Sequence, residues 1–205
     1  MGLNSRPTFA SYWSTDVLYK NLVSGVISRN RFEMLLRMIH FSDRENETTG
    51  DKLYKIKPVL DIMNNSFQLS YMVGRKMVID ESMIPWRGRL KFRQYIPTKS
   101  HKYGIKIFKL CSPNVYTWKF EMYTGRQEEN RAAGLGVGES VVLKLTEKLL
   151  DEGRILYTDN FYTSCPLARI LLNRNTHLVG TLRRTRKYLP KDIMTKKLKR
   201  HEYVG

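Results

Sequence analysis

The spacing of apolar and polar positions changes character at Gly74. Before it the period is helical. Ser14 or Thr15 is placed to cap a short helix carrying Val17, Leu18 and Leu22. Ser28 is placed to cap a clearer one, in which Phe32, Leu35, Leu36 and Ile39 fall at i, i+3, i+4 and i+7, the stripe of a packed helix. Residues 42–51 are polar and contain a glycine, which predicts a loop. Pro58 suits the first turn of a third helix, with Val59, Ile62, Met63 and Phe67 along one face.

Beyond Gly74 the period shortens to two. Residues 76–81 (KMVIDE) form a short β-branched run. Residues 104–111 (GIKIFKLC) alternate, so that Ile105, Ile107 and the region of Leu110 pack while Lys106 and Lys109 point elsewhere. Residues 116–123 make an aromatic-rich third strand closed by Gly125, with a turn at Ser112-Pro113-Asn114 before it. Short connections make these three antiparallel. A helix then opens at Glu139 or Ser140, carries Val142, Leu145, Leu149 and Leu150, and stops at Gly153. Residues 154–158 form a fourth strand ending in Asp159. A further helix has Pro166 near its start and Leu167, Ile170 and Leu171 on one side, and residues 177–182 form a fifth strand. The order β-β-β-α-β-α-β predicts an α/β fold: a ribonuclease H-like core with a mixed sheet, preceded by a helical N-terminal segment. The divisions expected are 1–73 for the helical segment, 74–185 for the core, and 186–205 for the start of an incomplete insertion domain.

Charge narrows the partners. Of 205 residues, 36 are Lys or Arg and 19 are Asp or Glu, for a formal net charge of +17. Such a surface attracts a polyanion, and nucleic acid leads because phosphate neutralisation supplies most non-specific affinity. An anionic membrane surface ranks second, since no basic amphipathic helix with a strong apolar face stands out. No apolar run approaches the roughly 18 residues of a membrane span. The first residues read as no signal peptide, and Arg6 stands where myristoylation wants Ser or Thr. Cys111 and Cys165 lie far apart and read as reduced thiols. With the scattered His40, His101, His177 and His201 they make no zinc spacing.

Two aspartates give this basic chain a candidate chemistry. Asp80 closes the first predicted strand and Asp159 the fourth. Carboxylates from neighbouring strands suit a hard divalent cation, and two-metal phosphoryl transfer places its ions roughly 3.5–4 Å apart. Taken singly, each aspartate reads first as a turn former or helix cap; the metal reading gains because both fall in one predicted fold with a basic surround. Glu81 faces the opposite side of its strand from Asp80, so only one of the two enters a shared site, and Asp80 is the choice.

Residues 87–106 hold seven Lys or Arg and no acid. If this stretch is extended, Arg87, Arg89, Lys91 and Arg93 share one face and can track a phosphate backbone, with Lys99, Lys102 and Lys106 following. Phe92, Tyr95 and Tyr103 offer stacking faces. Trp86 reads as a core anchor or a DNA contact. Arg183 and Arg184, with Arg186 and Lys187, extend the basic character past the fifth strand. KKLKR at Lys196–Arg200 is a weak import signal.

SYWSTD (Ser11–Asp16), RFEMLLRMIHF (Arg31–Phe41), DKLYKIKPVLD (Asp51–Asp61), IDESMIPWRGRLKFRQYIPTKSHKYGIKIFKLC (Ile79–Cys111) and YTDNFYTSCPLA (Tyr157–Ala168) closely resemble the piggyBac family of transposases and transposase-derived proteins. The resemblance covers nearly the whole chain. It implies a DDE-type recombinase with a ribonuclease H-like core, acting on DNA in the nucleus. Such enzymes use Mg²⁺ (or Mn²⁺) to nick transposon ends, form hairpins and join the ends at TTAA targets, with a homodimer expected in the full-length parent. It matches Asp80 to the first catalytic Asp and Asp159 to the second. The third lies, in the family, in a GGxDxxD-like segment after an insertion domain; neither that segment nor the Cys/His-rich zinc module occurs in these residues, and neither Asp192 nor Glu202 fits the motif. The expectation is therefore a partial site that binds DNA and catalyses little. The alternatives are a domesticated, non-catalytic DNA-binding or chromatin-associated module, and an RNA-directed protein on the same core.

Overall fold

The computed structural model describes residues 5–43, 50–125 and 136–189. Its centre is strand β1 (Lys76–Pro85), whose Met77 and Ile79 are 0% and 1% exposed. β1 pairs antiparallel with β3 (Tyr103–Cys111) on one edge and parallel with β5 (Ile155–Thr158) on the other. Beyond β3 lie β4 (Thr117–Met122) and the two-residue β2 (Gln94–Tyr95), which share its outer edge. Beyond β5 lies β6 (His177–Gly180), in parallel register. The sheet is therefore mixed and six-stranded. The parallel steps need crossovers, which helices supply.

Those helices are α4 (Val137–Thr146) and α5 (Cys165–Asn173). Their apolar stripes, Val142 and Leu145 on one and Leu167 and Leu171 on the other, are fully buried against Met77, Ile79, Phe108, Leu110, Leu156 and Tyr162. Each such side chain contributes about 1.5–3 kcal/mol relative to exposure. α5 begins as its sequence requires: the Ser164 hydroxyl accepts from the Leu167 amide, and Pro166 occupies the first turn. Gly153 takes the left-handed region (φ +68°) after α4 and the turn that follows it.

The N-terminal segment is helical and sparsely packed. It comprises 3₁₀ turns at Phe9–Trp13 and Val17–Tyr19, then α1 (Val23–Val26) and α2 (Arg29–Met38). Asp16, not Ser14 or Thr15, caps the second turn. Ser28 caps α2, accepting from the Arg31 amide. Phe32 joins Phe9 and Trp13 in an aromatic cluster with centroid separations of 5.4–5.6 Å. The rest of the expected α2 stripe, Leu35, Leu36 and Ile39, stays exposed.

Helix α3 (Lys57–Ser70) covers the outer edge of the sheet. The sequence placed Val59, Ile62, Met63 and Phe67 on its packed face. Instead Ile62 and Met63 point to solvent, and the helix meets β4 through Asn64 and Phe67. The reason is the free edge of β4. Asn64 Nδ2 donates to the Phe120 carbonyl (3.1 Å) and its Oδ1 accepts from the Phe120 amide (2.9 Å), so one amide side chain completes both groups of an edge residue.

The strands depart from the sequence reading in extent and in facing. β1 runs on to Pro85, because Ser82–Ile84 continue the ladder with Ile105–Ile107, so Asp80 sits within the strand and not at its end. Lys106 and Lys109 lie on opposite faces of β3, since an odd separation inverts side-chain direction. The tail readings at Asp192, Lys196–Arg200, His201 and Glu202 lie outside the described residues.

Asn64→Ala removes both bonds to Phe120 and leaves a partly covered edge residue unpaired. It is expected to cost about 1–3 kcal/mol, read as a lower urea midpoint with unchanged slope.

Candidate metal and nucleic-acid site

The β1–β5 register builds the site. Ile79 pairs with Thr158, so Asp80 and Asp159 occupy the next position on two strands lying about 4.8 Å apart. Asp80 is held by a continuous ladder. Asp159 is the first residue past β5, and its turn is held by bonds from several directions.

Asp159 Oδ1 accepts from the Phe161 amide (2.9 Å), and its carbonyl accepts from both the amide and the hydroxyl of Thr163 (3.1 and 2.7 Å). Thr163 and Thr158 hydroxyls meet at 2.8 Å. Arg183 Nε donates to Asn160 Oδ1 (2.9 Å), and Arg186 donates to the carbonyls of Asn160 (3.2 Å) and Phe161 (2.6 Å). From the other side, a Cβ on Gly138 of α4 would lie 2.8 Å from the Phe161 carbonyl oxygen, so only glycine lets the helix approach this turn. Glu139, next to it, accepts from the Gly136 amide (2.7 Å) and from the Ser164 hydroxyl, tying the starts of α4 and α5 together.

Each aspartate keeps one oxygen out of these bonds. Asp80 Oδ1 accepts from the Glu81 amide (2.8 Å), and Asp159 Oδ1 is taken by Phe161, while neither Oδ2 has a hydrogen-bond partner among the described residues. Both side chains are exposed. Asp80 on β1 and Asp159 just past β5 each thus offer a hard oxygen donor of the kind Mg²⁺ takes, an ion that ordinarily accepts one or two carboxylates and completes its shell with water and phosphate. Among the described residues no group of three His, Cys, Asp or Glu side chains is assembled to hold a metal.

Glu81 faces away from Asp80 along the strand and is engaged by Lys99 Nζ at 3.1 Å. Lys106 lies on that same side, half-buried, with Nζ 4.8 Å from the Phe108 ring centre and 4.5 Å from that of Phe161. Burial lowers its pKa below the ordinary lysine value. Lys99 adds to the lowering, while Glu81, Asp159 and Asp80 pull it back up. Tyr162 lies beneath them. Burial, followed by the fields of the same three carboxylates, raises its phenol well above the ordinary range. Its hydroxyl leans towards Glu81 without a full hydrogen bond.

The nine cations singled out from the sequence therefore separate. Arg87, Arg89, Lys91 and Lys102 are exposed and have no carboxylate partner among the described residues. Arg93 is spent on structure: it donates to the carbonyls of Arg87 (3.0 Å) and Gly88 (3.3 Å) and stacks 5.0 Å over Tyr103. Lys99 pairs with Glu81, Lys106 lies in the field of Glu81 first and of Asp159 and Asp80 after it, and Arg183 braces the Asp159 turn. Arg184 is exposed. Residues 86–93 contain no strand, so the four-cation ribbon expected from alternation is replaced by a turn that Arg93 folds back. Sequence reasoning missed what Gly138, Glu139 and Arg186 do at this turn; their contacts join residues 23–26 positions apart, which no local pattern signals.

Comparison with known proteins adds the following. A family model described as Transposase IS4 matches residues 1–205. The human PiggyBac transposable element-derived protein 3 is 30% identical over 97% of this chain, and the human PiggyBac transposable element-derived protein 2 is 28% identical over 90%. The chain spans about a third of each, 35% and 32%. A piggyBac transposase, solved as a synaptic complex with hairpin DNA, superposes with a TM-score of 0.75 at 31% identity, covering 91% of this chain and 41% of that one.

The displaced Lys106 titration predicts a pH effect on stability. Its folded pKa lies below the unfolded value of 10.5, so between the two the unfolded chain binds more protons and stability rises with pH. Subtracting the pH–stability curve of Lys106→Met from that of the wild type in alkaline urea titrations is expected to leave a positive slope below pH 10.5.

Proposed function

We propose, from the premise that this chain belongs to the transposase family described as Transposase IS4, that it forms the metal-binding and DNA-holding part of a piggyBac-like DDE transposase core. One observation carries the reading: the parallel register that sets Asp80 beside Asp159, with unpaired cations following β1 on the same chain. The strand path β4-β3-β1-β5-β6 is the order expected of a ribonuclease H-like sheet, whose core we assign to 74–185.

Asp80 and Asp159 would hold Mg²⁺ or Mn²⁺ through their free oxygens. Such an ion supplies Lewis-acid stabilisation of phosphate oxygens. The protein's own part is to keep the two carboxylates fixed and exposed. The β1 ladder does this for Asp80, and the bonds from Phe161, Thr163, Arg183 and Arg186 do it for the Asp159 turn. Lys106, held over two rings, offsets part of their mutual repulsion without closing a salt bridge on either. Arg87, Arg89, Lys91 and Lys102 would neutralise backbone phosphates, which positions a duplex without reading its sequence.

Strand cleavage and transfer at TTAA sites, a third aspartate, a homodimer and nuclear residence belong in this reading to the longer parent. A two-carboxylate site neutralises two metal ions poorly, so the 205 residues alone are expected to bind DNA and turn over little.

Duplex affinity should fall linearly on a log–log plot against salt, and Arg89→Ala with Lys91→Ala should flatten the slope by about 2. A slope unchanged by that pair removes them from the phosphate contacts. Asp80→Asn with Asp159→Asn should reduce Mn²⁺ binding, read by electron paramagnetic resonance, at least about 10-fold while low-salt duplex binding persists. Equal Mn²⁺ binding by wild type and variant defeats the metal assignment.

A further inference from the structure

Past the end of β1 the chain forms a cleft of about 620 Å³ between Trp86–Arg87 and Ser100–Tyr103. That volume lies in the range of small-ligand sites, roughly 300–1,000 Å³. Its walls carry Trp86, Arg87, His101, Lys102 and Tyr103, and no carboxylate. Trp86 is 45% exposed, an unusual degree for the largest aromatic side chain, and its indole nitrogen makes no hydrogen bond among the described residues.

The cleft is built, because each wall is held from behind. A Cβ on Gly88 would lie 2.9 Å from the Trp86 indole nitrogen and 3.0–3.1 Å from two ring carbons, so the bare glycine backbone is what the indole rests against. The Trp86 amide donates to the Tyr103 carbonyl at 3.3 Å, joining the two walls. Tyr103 is contacted by Tyr95, at 4.8 Å between ring centres, and by the Arg93 guanidinium at 5.0 Å. The same guanidinium holds the carbonyls of Arg87 and Gly88. Arg93 therefore fixes both walls at once.

We infer that this cleft receives an unpaired nucleotide, its base stacked on Trp86 and its flanking phosphates on Arg87 and Lys102. The inference rests on the DNA-binding reading above and adds a site to it. A paired base hides both faces within the duplex, so a concave aromatic wall can take only a base that has left the stack. The unpaired cations beside the ring match the phosphates on either side of such a base, and an apolar ligand would leave them unused. Position agrees with this. Trp86 lies six positions after Asp80, just past the end of β1, about 20 Å at 3.3 Å per residue, or about six base steps of duplex from the aspartate pair. The cleft would thus hold an opened or single-stranded stretch beside a backbone lying on the carboxylates.

The test uses the 205-residue protein and three fluorescein-labelled probes read by anisotropy: an eight-nucleotide oligothymidylate, the same length of strand with abasic sites, and a duplex. Trp86→Ala is expected to weaken oligothymidylate binding about 5- to 150-fold, with Trp86→Phe within a few-fold of wild type. Trp86→Ala should leave abasic and duplex binding unchanged and the melting temperature near wild type. Gly88→Ala, which displaces the indole, should reproduce the selective loss. Undiminished oligothymidylate binding by Trp86→Ala overturns the inference, as does an equal loss on all three probes. Displacement of oligothymidylate by polyglutamate at equal charge concentration, as readily as by unlabelled strand, would make the cleft an acidic-peptide site and also overturn it. Wild-type protein that binds the duplex but shows no effect of Trp86 sinks this inference alone, whereas failure to bind any probe sinks the DNA reading with it.

Discussion

Hydrogen bonding along both edges of β1 is the constraint on which the rest depends. One edge is satisfied by β3 running backwards and the other by β5 running forwards. A strand paired on both sides cannot slip by one residue without turning Met77 and Ile79 out of the core. Register is therefore strongly held at β1. Whatever lies opposite in β5 is brought to a fixed neighbour, and this is how positions 80 and 159 meet.

The two members of the pair are held by different means. Asp80 inherits its place from a ladder. Asp159 belongs to a turn, and a turn has no ladder, so side chains from distant parts of the chain replace it. Arg183 and Arg186 reach back from beyond β6, Thr163 closes the turn from within, and α4 presses in at Gly138. Arginine suits this work because its planar fork bonds several carbonyls and never loses its charge. The consequence for electrostatics is that part of the chain's +17 net charge is not available to a ligand. Arg93, Lys99, Arg183 and Arg186 are engaged internally, and Lys106 is partly desolvated over Phe108 and Phe161.

The N-terminal segment shows the limit of periodicity. The helical spacing of Phe32, Leu35 and Leu36 is present in α2, with Ile39 just past its end, yet Phe32 packs on Phe9 and Trp13 while the other three stay exposed. An apolar stripe tells that a helix has a face to bury; it does not tell against what. The same holds for α3. Its stripe at Ile62 and Met63 is exposed because Asn64 turns the helix towards the free backbone of Phe120. A polar residue decided the orientation, since an open strand edge demands two hydrogen bonds that no apolar side chain supplies.

Sequence alone determined the kinds of element and their order: period-two runs for the main strands, 3.6-residue stripes for α4 and α5, Ser28 and Pro58 at helix starts, and an excess of cations after β1. These are local, since each arises from residues a few positions apart. The short pair β2, the continuation of β1 past Asp80, the turn that replaced an extended basic ribbon, and the cleft between Trp86 and Tyr103 came only with tertiary structure. Each depends on a partner far along the chain. Pairing with β3 carries β1 to Pro85, and the bonds of Arg93 fold the basic segment back on itself. A cation's sequence position announces its charge; which cations stay free for a phosphate is settled by what the fold places within hydrogen-bonding reach.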